Sequence, residues 1–150
     1  MKAMKIAALA SIAGAFALGG CATLEEAAAE TTGETYRANL TGAQVVGGGD
    51  ADGSAEAEIT VSDSFDQVCW DINNIRGIDP ATAAHIHFGP AGANGPPVFT
   101  LGRANEGGWK GCKSGAEWTQ NRLEGNPASF YVQIHNAAYP NGAIRGQLRR

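Results

Sequence analysis

At 150 residues the chain has room for one domain, and 21 glycines and 6 prolines beside 43% apolar content suit many short strands joined by turns, not a helix bundle. The formal charge of −4 becomes −6 once Lys2 and Lys5 leave with the leader, since 9 basic residues then face 15 acidic ones. A weakly acidic chain without a basic stripe offers nothing to a phosphate backbone, so nucleic acid is not expected as a partner.

Lys2 and Lys5 precede an uncharged, mostly apolar run at 6–18. That run is shorter than the roughly 20 apolar residues a spanning helix needs, so 1–20 reads as an export signal. The ending Leu18-Gly19-Gly20-Cys21 resembles the lipobox of bacterial lipoproteins. The resemblance implies that Cys21 is acylated, that the chain is lipid-anchored in the bacterial cell envelope, and, with Ala22 following, that it is sorted to the outer membrane. Acyl chains at about 0.8 kcal/mol per buried CH₂ suffice for anchoring without a spanning helix. Residues 22–33, with Glu25, Glu26, Glu30 and three consecutive alanines, have no strand pattern and are expected to form a tether, with a short helix as the alternative.

The folded domain is expected over 34–150. Tyr36 alternates with Arg37 and Asn39 in a first strand at 34–40. The glycine-rich stretch 47–53 lacks the later ligands of a calcium loop, so Asp50 and Asp52 read as Asx turn formers. In 55–61 the residues Ala55, Ala57, Ile59 and Val61 alternate with Glu56, Glu58 and Thr60, the pattern of a strand with one wet face. Val68, Trp70 and Ile72 share a face of the next strand, and 73–80 reads as a connection.

Residues 83–88 carry His85 and His87, which an extended backbone directs to one face while Ala84, Ile86 and Phe88 face the other. The turn-rich segment 89–97 cannot be regular structure. An apolar strand follows at 98–101, then an edge or loop segment at 107–112 and one short helix at 116–123. In 130–135, His135 shares a face with Tyr131 and Gln133. A turn through Pro140-Asn141-Gly142 leads to 143–148, where Arg145 projects opposite Ile144 and Leu148. Repeated short strands are the signature of a β-sandwich or barrel, and the architecture expected is an antiparallel Greek-key β-sandwich, immunoglobulin-like or superoxide-dismutase-like, with one short helix.

The run Cys69-Trp70-Asp71, Ala84-His85-Ile86-His87-Phe88-Gly89, Gly95-Pro96, Tyr131-Val132-Gln133-Ile134-His135 and Pro140-Asn141-Gly142-Ala143-Ile144-Arg145-Gly146-Gln147-Leu148 resembles the CHRD domain, named from chordin. Leu40-Thr41-Gly42-Ala43-Gln44 also fits, whereas Val45-Val46-Gly47 departs from the usual Glu-Val-Pro. The likeness covers about 35–148. It implies an all-β extracellular module in which Gly89, Tyr131, Pro140, Gly142, Arg145 and Gly146 belong to the structural motif, and it supplies no reaction. A weaker likeness to copper/zinc superoxide dismutase rests on the His-x-His strand, but three histidines are too few for that enzyme's paired-metal site.

With Cys21 committed to lipid, Cys69 and Cys112 are an even pair in an exported chain and are expected to form a disulfide, with thiolate metal ligation as the alternative. His85, His87 and His135 could converge on one copper or zinc ion, or form a structural hydrogen-bond network. Arg145 is expected to clamp loop carbonyls in preference to pairing with Asp71. Trp70 and Trp109 are expected as packing residues. No serine lies in a Gly-x-Ser-x-Gly turn, and Glu56 and Glu58 sit on a wet face, so no catalytic set is expected. The leading expectation is therefore a lipid-anchored, non-catalytic structural or interaction module, whose partner would be an envelope protein or polymer; the competing one is a metal-binding envelope protein.

Overall fold

The computed structural model describes residues 24–104, 107–115 and 117–150, so the expected export signal and Cys21 lie outside the described residues. Eight strands form one sheet: β1 Glu34–Thr41, β2 Ser54–Ser62, β3 Gln67–Arg76, β4 Ala83–Phe88, β5 Pro97–Leu101, β6 Trp109–Ser114, β7 Phe130–His135 and β8 Ile144–Gln147. Their order is β5-β4-β7-β8-β1-β2-β3-β6, and every pairing is antiparallel. The fold is all-β as expected. The predicted two faces of a sandwich are opposite walls of one sheet that curls into a nearly closed barrel, its end strands β5 and β6 meeting across a seam.

Period-two alternation builds the interior. Tyr36, Ala38 and Leu40 of β1 and Ala57, Ile59 and Val61 of β2 point inward, opposite Ala84 and Ile86 of β4 and Phe130, Val132 and Ile134 of β7. Each fully buried large aliphatic or aromatic side chain contributes about 1.5–3 kcal/mol of transfer free energy. Trp70 and Trp109 are buried in this core as expected, and the Trp70 indole N–H donates to the Gly102 carbonyl at 3.0 Å.

Three local readings are corrected. The connection expected at 73–80 is strand as far as Arg76, because Asn73 and Arg76 pair with Glu56 and Ser54 through main-chain bonds that do not depend on side-chain polarity. Residues 24–32 form a helix, α1 Leu24–Thr32, where a tether was the first expectation; alanine favours the helix, and fully buried Ala29 docks it on β2 and β3. Among the described residues there are thus two α-helices where one was expected, the second being α2 Glu117–Gly125, seated through fully buried Leu123.

Cys69 of β3 lies directly across from Cys112 of the edge strand β6, and the two are joined at S–S 2.08 Å. The expected disulfide is present, which removes both thiols from any metal.

Candidate metal centre

The outer face of β4 carries His85 and His87. Pairing with β7 sets His85 opposite Gln133, His87 opposite Tyr131 and Ala83 opposite His135, and this register brings the third imidazole to the same patch. Ring centroids are 5.1 Å apart for His85 and His135, 5.7 Å for His85 and His87, and 6.0 Å for His87 and His135. One nitrogen from each ring falls within 4.8 Å of the other two.

Two loops cover this patch and fix the rings. The His87 Nδ1 lies 2.9 Å from the Gly95 carbonyl, and the His135 Nδ1 lies 2.9 Å from the Pro140 carbonyl. A carbonyl only accepts, so both Nδ1 atoms carry protons and both Nε2 atoms present lone pairs. Those Nε2 atoms and the His85 Nδ1 are buried without a hydrogen-bond partner. Burial also holds the His85 and His87 pKa values below the ordinary histidine value, with weaker repulsion from His135 in both cases.

The first loop is held from below. Arg145, 1% exposed, donates to the Ala93 and Pro90 carbonyls at 2.9 Å each, and Gln147 donates to the Gly89 carbonyl at 2.9 Å. Arg145 is therefore the loop clamp expected of it, and Asp71 instead faces Lys110 at 3.4 Å. The Tyr131 hydroxyl donates to the Gly95 carbonyl at 3.2 Å and accepts from the Gly95 amide at 3.1 Å. Its ring stacks on His87 at 4.8 Å, and the Arg145 guanidinium covers the opposite side at 3.4 Å. A Cβ on Gly95 would collide with the Phe88 carbonyl, so this close approach requires glycine.

The second loop turns at Gly142, whose φ of 130° favours glycine and where a Cβ would strike the Gln133 side chain. Gln133 donates to the Asn141 carbonyl, and the Tyr139 amide donates to the Asn136 carboxamide oxygen at 2.7 Å. Gly146 lets β8 pass close to the Asn39 carbonyl of β1. The motif residues thus hold loops and strands in place around the imidazoles, Gly89 through its carbonyl and Pro140 through its own.

Copper or zinc fits this donor set. Each loop-held histidine has the carbonyl partner that orients a metal-binding imidazole, a device usual at metal sites. Two nitrogens bound at about 2.0–2.1 Å to one ion lie at most about 4.2 Å apart, and about 3.5 Å apart in a trigonal set, so nitrogens spread over 4.8 Å must close by about 0.6–1.3 Å to share it. Beside His85, the β5–β6 seam opens a surface cavity of about 590 Å³ whose lining includes Phe99, Thr100, Lys113 and Thr119. Glu56 and Glu58 remain on the wet face, Glu58 paired with Arg37 at 2.8 Å.

The sequence reading finds all three histidines, Tyr131 and Arg145 but treats 89–97 only as turn formers. It misses that Gly95 and Pro140 supply the orienting carbonyls and that Gln147 ties the first loop down; two Gly-Pro steps, Gly89-Pro90 and Gly95-Pro96, are the only local signal. Residues 36–148 match the CHRD domain family. No curated protein and no solved structure matches the chain.

Proposed function

Because the chain belongs to the CHRD domain family, which supports a structural or interaction module, we propose that this module works by holding one copper or zinc ion at His85, His87 and His135. One observation carries the reading: three imidazoles that each place a nitrogen within 4.8 Å of the others also each keep a buried nitrogen without a hydrogen-bond partner. A structural histidine network would place those nitrogens in hydrogen bonds. Left unpaired, each costs about 1–3 kcal/mol, a penalty that a shared ion removes. Loops 89–97 and 136–142 then act as the ion's outer shell, and no residue is assigned a catalytic role. The proposal includes acylation at Cys21, which would place the centre in the bacterial envelope, at the outer membrane, near an envelope protein or polymer partner.

Metal analysis of the purified chain, with the His85→Ala/His87→Ala variant beside it, tests the centre. One copper or zinc per chain, lost in the folded double variant, is the expected result. A chain that takes up neither metal, and whose double variant differs only in melting temperature, would return the histidines to a structural role.

A further inference from the structure

Resting on the metal-binding reading above, we infer that the ion this centre selects is monovalent copper. The argument begins with charge. Three neutral imidazoles contribute none, so the charge of the loaded centre is that of its ion. Beside the rings stand Tyr131, Gln133 and, stacked on Tyr131, Arg145, and among the described residues no carboxylate joins the cluster.

Arg145 matters most because, among the described residues, its charge is not paired with an acid. Its guanidinium donates to the neutral carbonyls of Ala93 and Pro90 and to the Gln147 carboxamide oxygen at 3.3 Å. It stacks on Tyr131 at 3.4 Å, and Tyr131 stacks on His87 at 4.8 Å, so one aromatic ring separates a buried cation from a ligand. Its repulsion on a divalent ion is twice that on a monovalent one, and burial weakens the screening that would hide the difference.

Coordination number points the same way. Zinc in proteins takes four ligands, and divalent copper prefers a tetragonal set. Among the described residues the cluster is His85, His87 and His135, with no Cys, Asp or Glu joining it. A divalent ion would have to recruit outside ligands, preferably anionic, by way of the cavity that opens beside His85. Monovalent copper has a filled d shell, is satisfied by three nitrogen donors, and needs neither.

The test titrates the full chain, stripped by chelator, with copper kept monovalent by ascorbate under nitrogen and competed against bicinchoninate. Zinc and divalent copper are titrated separately, the latter followed by electron paramagnetic resonance. One monovalent copper per chain, held at least 100-fold more tightly than zinc, is the expected result. Zinc or divalent copper bound equally well or better overturns the valence assignment and leaves the centre standing, whereas no binding of any of the three overturns both. Arg145→Gln and Gln147→Glu each reduce the positive field, and whichever keeps the native circular dichroism spectrum should narrow the preference for monovalent copper at least fivefold. An unchanged preference in a folded variant removes Arg145 as its cause.

Discussion

At the scale of single residues, the depressed pKa values of His85 and His87 make a pH prediction for the metal-free chain. Desolvation is the main cause in both. In the native state each ring stays neutral at a pH where the unfolded chain, near its ordinary value of about 6.5, already takes a proton. The unfolded state therefore binds more protons, and stability must rise with pH across that interval. Above about pH 6.5 the contribution is fully present; it drains away as pH falls through the lowered native values. Urea unfolding of metal-free protein should give a lower stability at pH 5.5 than at pH 7.5, and the His85→Gln/His87→Gln variant should lose much of that difference. Equal pH dependence in the two chains would mean that the rings titrate as freely in the fold as outside it. The pairing of His85 with His87 is legible in sequence because side chains two apart on a strand share a face. Their tautomers are not, since these depend on carbonyls of Gly95 and Pro140 that come from loops of no fixed period.

Among the elements, strands with clean alternation are legible and stretches where the register shifts are not. The β2 run from Ala55 to Val61 declares its inward face residue by residue, whereas in β3 the core-packed Ile75 falls out of phase with Val68, Trp70 and Ile72, because the register shifts there and Asn74 has a φ of 54°. Nor does local pattern tell one curled sheet from two stacked ones, because both bury the same alternate residues. The edge strand β6 carries a specific consequence. It joins the sheet through β3, and its one covalent tie is Cys112 to Cys69, separated by 43 positions. Closing a loop of that length stabilises by about 4 kcal/mol in the chain-entropy view. The histidines lie on β7 and β4, four and five positions from β3 in the strand order. The Cys69→Ala/Cys112→Ala variant should therefore melt well below the parent, with amide exchange quickening first along β6 and β3, while its copper or zinc stoichiometry is retained. Loss of metal in a chain that still folds would show that the seam, where His85 shares a cavity with Lys113 of β6, controls the centre.

For the whole molecule, the helix α1 changes what an anchor at Cys21 would do. A tether would let the barrel wander. Instead Ala29 is buried against the barrel and the Gly33 amide donates to the Ala29 carbonyl at 3.0 Å, so helix and barrel move together. Nine helical residues span roughly 14 Å, and the three steps from Cys21 to Leu24 add at most about 10 Å. The barrel would then sit within about 25 Å of the lipid, close enough for its faces to meet envelope partners in a restricted range of orientations. Two measurements on membranes carrying the expressed chain test this. Mass spectrometry of the mature N-terminus should find Cys21 acylated, and Cys21→Ser should move the protein to the soluble fraction with its melting temperature unchanged. Brief proteinase K treatment should release a barrel that still begins near Leu24, because a docked helix denies the protease the extended backbone it needs. Rapid cutting inside Leu24–Thr32 would restore the tether, and an unmodified Cys21 would remove the anchor while leaving barrel and metal centre as they stand.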